Sequence, residues 1–231
     1  MYLIRFAIRI IFLFIGFLIY FVAPNILDVE NFEFFSGFSA THIFWIYLLV
    51  IMLFAFIPKA KVNIGTLKYR KKYFSPADFD EEALRVFKKS SNRSGLLIAI
   101  MWIAVNIPFW ILYLLNIITS KELLFLVLIY AVADIFCVLF FCPFQLILQT
   151  KCCTTCRVFL WDHLMMVTPL VVVPGFFSRS LVILAACLLI IWEISWKLHP
   201  EYFWEGSNKS LQCSTCNDKI CQIKKPLITQ K

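Results

Sequence analysis

The chain has 231 residues, is 61% hydrophobic and only 16% charged, and carries a net charge of +8 with 25 phenylalanines. A soluble domain has about a quarter of its residues charged and could not hide this much apolar surface. The composition therefore excludes a soluble globular protein and makes the lipid bilayer the first partner. The positive charge is a matter of membrane topology rather than of nucleic-acid binding.

The first apolar run, about 6–23, opens with Arg5 and Arg9. It is long, no A-x-A cleavage site follows, and it reads as a retained anchor rather than a signal peptide. A short second span covers about 42–57, with His42 at its outer end as an interfacial residue. The connection 58–95 holds ten Lys and Arg. Within it, SPADFDEEALRVFKK predicts a short amphipathic helix on the membrane surface or the bundle. Ser75 would be its N-cap, Pro76 its first residue, the acidic residues its first turns, and Lys88 and Lys89 its end. Its upstream KYRKK (68–72) suits anionic headgroups, although ordinary topogenic charge explains it as well.

Further spans are expected at about 96–118, 123–148, 160–177 and 180–198, the last two joined by PGFFSRS as an antiparallel hairpin. The fold class is thus an all-α integral membrane protein, a bundle of about six transmembrane helices, followed by a Cys-rich tail over 199–231. An even number of spans puts both termini on one side. Arg5, Arg9, the 58–95 loop, the 149–157 loop and the tail carry 20 basic residues, whereas the remaining connections carry only Lys121 and Arg179. The positive-inside rule then predicts an N-in, C-in protein of the cell membrane with both termini cytoplasmic.

Nine cysteines are present. Cys137, Cys142 and Cys187 fall within spans and read as small hydrophobes. Cys152, Cys153 and Cys156 lie in KCCTTC, and Cys213, Cys216 and Cys221 lie in LQCSTCNDKIC. Both groups fall on the expected cytoplasmic face, where stable disulfides are disfavoured. Each contains a C-x2-C, Cys153 with Cys156 and Cys213 with Cys216. A tight turn across two residues aims both sulfurs at one ion, so the four form the expected cofactor-binding set. Cys213 lies 15 residues beyond the last span. At roughly 3.3 Å per extended residue, that tail reaches KCCTTC easily. Cys152 and Cys221 are surplus ligands, and His163 and His199 are further candidates.

Soft thiolates select zinc or iron–sulfur chemistry. The surplus thiols and the aromatic and acidic segments WDH, WEISW and HPEYFWE favour an iron–sulfur cluster or iron. Structural zinc, holding the tail in place, is the alternative.

Ionisable groups inside spans point to function. Asp134 is read as midway along the fourth span, with Asn106 at similar depth as its hydrogen-bond partner, or as a proton or ion relay. Asp162, His163 and Glu193 are read as one group at the cytoplasmic mouth, with a carboxylate orienting the histidine. These four are the catalytic candidates. Pro108, Pro143, Pro169 and Pro174 mark kinks, and a kink at Pro143 would aim Cys142 at the cytoplasmic site. No phosphate-cradling, metalloprotease or serine-hydrolase motif occurs.

Three functions remain. A membrane-bound oxidoreductase component would exchange electrons with a membrane redox partner through the thiolate centre. A metal or ion transporter would collect a soft metal on the thiols and pass it by Asp134. A non-enzymatic scaffold would use structural zinc alone.

Overall fold

The computed structural model describes residues 2–32, 39–56, 80–148 and 157–212. Among these the chain is helical, with no strand. α1 is Tyr2–Val22, α2 Ala40–Phe56, α3 Glu81–Leu114, α4 Ser120–Leu139, α5 Pro143–Leu148, α6 Asp162–Val167 and α7 Phe176–Leu198. Short 3-10 turns at Arg157–Leu160 and Thr168–Val172 bracket α6. Four helices, α1, α3, α4 and α7, are long and apolar enough to cross a membrane. α2 and Asp162–Val172 are shorter apolar helices.

α1 and α4 pack antiparallel over their full lengths. Arg9 meets Asp134 at one end and Tyr20 donates to Glu122 at 2.5 Å at the other. Midway, Gly16 lets the helices close, since a Cβ there would sit 2.7 Å from Leu128 Cδ1. α2 lies antiparallel to α1 through the stacked rings of Phe12 and Tyr47, 3.8 Å apart, and through Phe44 beside Gly16. The core is built from Leu48, Met52, Val127, Leu170, Phe177 and Leu181, all fully buried. Broad outer faces of α1, α3 and α7 expose Ile, Leu and Phe, as lipid-facing surfaces do.

The bundle therefore has a terminal end, bearing Tyr2, Glu81, Leu139 and Leu198, and a far end, bearing Val22, Ala40, Leu114 and Phe176. At the far end Gly175 adopts φ +104°, with Glu30 O only 2.6 Å from where a Cβ would stand, so glycine is required there. Tyr113 donates to Glu30 at 3.0 Å close by. His42 is buried there, its ring 4.4 Å from that of Phe32 and Nδ1 bonded to Ser39. It is a packed residue rather than one lying at the interface.

Three expectations need correction. First, the surface helix and the third span are one continuous helix, α3, of 34 residues. Asp80, not Ser75, is its N-cap, accepting from the amides of Glu82 and Ala83; Ser75 and Pro76 lie outside the described residues. The SSNRSG stretch does not break it, because Asn92 and Gly95 face α7 and the 157–161 segment. At about 1.5 Å per residue α3 is about 51 Å long, against about 30 Å of hydrocarbon, so its charged first turns extend past the membrane. Second, the fourth span is not continuous to 148. Pro143 lacks a backbone N–H and restricts Cys142, so α4 ends at Leu139 and α5 starts afresh. Its start moves to Ser120, where Thr119 and Glu122 form a capping box. Third, the fifth span is a chain of short turns, with Pro169 ending the α-helical part.

Candidate functional site

Two clusters of polar side chains occupy the terminal end of the bundle. The first is set in the membrane-facing part. Arg9 Nη1 donates to Asp134 Oδ2 at 2.6 Å and also to the carbonyl of Ala131. Their side chains are 12% and 23% exposed, so the pair is largely withdrawn from solvent. Asp162 accepts from the backbone amide of His163 at 2.7 Å and pairs with its Nδ1. The charges of Asp162, His163 and Arg9 all act on Asp134. These four residues form one electrostatic unit joining α1, α4 and α6.

This unit borders a cavity of about 300 Å³. Tyr130, Asp134 and Cys137 supply one wall from a single face of α4, at i, i+4 and i+7. Asp162, Met165 and Met166 supply another from α6, and Trp102 of α3 and Phe144 of α5 complete the aromatic side. Trp102 is held rigidly. Its Nε1 donates to Thr168 Oγ1 at 3.1 Å, and its ring packs 4.8 Å from Tyr130 and 6.3 Å from Phe144. Cys142 also lines the cavity, at the break that Pro143 imposes.

The second cluster lies at the mouth. The Arg157 guanidinium grips Glu193 with Nε and Nη2, and Nη1 donates to Asn92 Oδ1. Trp161 Nε1 donates to Glu193 Oε1 at 2.7 Å, and Trp196 Nε1 to Asn92 at 3.2 Å. Arg157 also lies over the ring of Trp196, 5.0 Å from its centroid. Trp196 in turn belongs to a buried group with Phe203 and Leu211, flanked by Phe87 and Trp192. The tail segment 199–212 is thereby seated on the bundle, helped by Asn208 donating to Tyr202 O at 2.8 Å. His199 pairs with Glu201 at 3.0 Å and is half exposed.

The expected site residues are thus redistributed. Asp162 and His163 do come together, but with Asp134 and Arg9, whereas Glu193 is engaged by Arg157 and Trp161. Asp134 is not hydrogen-bonded to Asn106. Asn106 is fully buried, donates to Trp102 O at 2.8 Å and faces the Tyr130 hydroxyl. Because α4 ends at Leu139, Asp134 lies near the helix end rather than midway. Cys142 faces the cavity, and Cys187 is exposed on α7. Cys152, Cys153, Cys156, Cys213, Cys216 and Cys221 lie outside the described residues. Among the described residues no group of three or more His, Cys, Asp or Glu is arranged to hold a metal ion.

Sequence reasoning missed Arg9 and Arg157, both taken only as topogenic charges. Arg9 carries a readable signal, since it is flanked by apolar residues on both sides in FAIRIIF. An Arg so placed needs an acidic partner at the same depth. No protein-family model matches this chain, and no similar curated protein or solved structure was found.

Proposed function

We propose that this chain is a membrane redox protein whose two C-x2-C pairs share one thiolate-bound iron centre at the terminal end of the bundle. The terminal end faces the cytosol, since the basic residues concentrate on it, and the protein lies N-in and C-in in the cell membrane. Cys153, Cys156, Cys213 and Cys216 are the ligands, with Cys152 and Cys221 in reserve. The centre exchanges electrons with a membrane partner.

One observation carries the reading. Arg157, which follows Cys156 directly, lies over the ring of Trp196, and Leu211, two positions before Cys213, belongs to the same buried cluster as Trp196 and Phe203. The chain stretches bearing the two pairs therefore depart from neighbouring points. At about 3.8 Å per residue, each pair's nearer cysteine lies within reach of the same volume. Pairing of Asp134 with Arg9 weighs against an ion carrier, which would keep a lone carboxylate on its path.

The test is metal analysis with an optical spectrum of the anaerobically purified full chain. Iron in a fixed ratio and visible absorbance bleached by dithionite are expected, and both should be lost in Cys153→Ser and Cys213→Ser. A colourless protein with stoichiometric zinc would replace this reading with the scaffold.

A further inference from the structure

The cavity has the properties of a ligand site rather than of a packing defect. It is bounded by rigid aromatic rings, it lies between membrane helices, and two carboxylates share its rim. Concave, mainly apolar sites with a few convergent polar groups are where small molecules bind. At about 300 Å³ it is far larger than a single ion needs and is the size of a one-ring molecule with a short chain.

The polar rim narrows the ligand class. One oxygen of each carboxylate is engaged: Asp134 Oδ2 by Arg9 and Asp162 Oδ1 by His163. Asp134 Oδ1 and Asp162 Oδ2 have no hydrogen-bond donor among the described residues, and both residues line the cavity. Those oxygens only accept, so they call for a ligand that donates. Each carboxylate already has a nitrogen partner, which removes the need for a ligand cation. A neutral hydroxyl suffices. The facing wall of Trp102, Tyr130 and Phe144 favours a flat ring through offset and edge contacts.

We infer that this cavity binds a lipid-soluble aromatic molecule bearing hydroxyl donors, of the quinol or alkylphenol class, with its hydroxyls toward Asp134 and Asp162 and its ring against Trp102. The inference does not depend on which metal the thiols hold. It adds a membrane-soluble partner adjoining the Arg157–Glu193 mouth, since Val158, next to Arg157, also lines the cavity.

The experiment uses the full chain in lipid nanodiscs, with empty nanodiscs subtracting partition into lipid. A short-chain alkyl benzoquinol is titrated under anaerobic conditions, and tryptophan fluorescence is read. Its dimethyl ether, which has lost both donors, and an alkylamine of equal length are titrated alongside. Saturable quinol binding near one per chain is expected, with the ether at least tenfold weaker. Ala133 lines the cavity and is exposed, so Ala133→Phe should fill the space without disturbing the core and abolish binding. Asp162→Asn should weaken the quinol and leave the ether unchanged. Equal binding of quinol and ether, tighter binding of the amine, or full binding by Ala133→Phe would overturn the inference. The ether comparison needs no variant, so misfolding cannot obscure it. Repeating the titration after chelator treatment separates this result from the metal reading, because quinol binding should persist when the centre is removed.

Discussion

The Arg9–Asp134 pair offers a test of the helix arrangement and of its energetics together. At 2.6 Å, two unit charges attract by about 6 kcal/mol at an effective dielectric of about 20. Withdrawing each ion from water costs several kcal/mol, so the intact pair is close to neutral for stability. Removing one partner is different, because the remaining charge keeps its desolvation cost and loses its attraction. Orphaned buried charges cost about 3–5 kcal/mol. Arg9 lies only seven residues from the start of α1, so it can reach toward the membrane surface, which holds the figure near 3 kcal/mol. For a chain of this size that is about 6–12 °C in Tm by soluble-domain scaling.

The two single variants should differ. Arg9→Met leaves an Asp that can take up a proton, whereas Asp134→Leu leaves a guanidinium that cannot lose one. Asp134→Leu should therefore be the more damaging, and the double variant Arg9→Met with Asp134→Leu should recover most of the loss. The assay is thermal unfolding of all four proteins in one lipid or detergent system, read as a double-mutant cycle. If the single losses simply add in the double variant, the two residues do not touch and the antiparallel register of α1 on α4 is wrong.

Trp196→Ala removes the ring that Arg157 covers and that shares a buried cluster with Phe203 and Leu211, and should cost about 3–5 kcal/mol. It should also free the 199–212 segment, seen as faster tryptic cleavage at Lys209; an unchanged cleavage rate would mean that the segment is seated by other contacts. Gly175→Ala should lower stability by at least about 1 kcal/mol, since it meets both a left-handed backbone and the Glu30 carbonyl. A neutral thermal shift would contradict the described turn. The amide and side chain of Asn31 hold the Asp28 carboxyl below its ordinary range. A depressed folded value means that this contribution is present above the unfolded pKa of about 4 and is lost as pH falls through the folded value. Asp28→Ala should remove that part of the acid limb and lower stability more at neutral pH than at low pH, where the contribution is already lost, measured by unfolding across pH 3–7.

Much of the architecture follows from local chemistry. Long apolar runs cannot stay in water and must satisfy their backbone groups internally, which makes helices in a bilayer the outcome. Pro143 ends α4 because it lacks a backbone N–H, and Thr119 with Glu122 starts that helix by capping it. These are properties of neighbouring residues, and the sequence displays them. The continuity of α3 is different. SSNRSG looks like a boundary, and it becomes helical because Asn92 accepts from Arg157 and Trp196, two residues 65 and 104 positions away. Local propensity is a weak prior, and tertiary contacts override it.

The candidate site divides in the same way. Asp134, Asp162, His163 and Glu193 stand out in the sequence because charges are costly in lipid, and Asp162 beside His163 is visible as a dipeptide. Which of them meet depends on helix rotation and depth, and neither is encoded within six or seven residues. The antiparallel register of α1 on α4, set by Gly16 against Leu128, brings Arg9 to Asp134 rather than Asn106. The early end of α4 lowers Asp134 toward α6, and the Arg157 clamp draws Glu193 away to the mouth. Composition and periodicity determined that this chain is a helical membrane protein with a few charges it cannot leave alone. The packing of helices distant in sequence decided how those charges pair, because a buried ion is stabilised by whichever partner the close-packed backbone places at its depth.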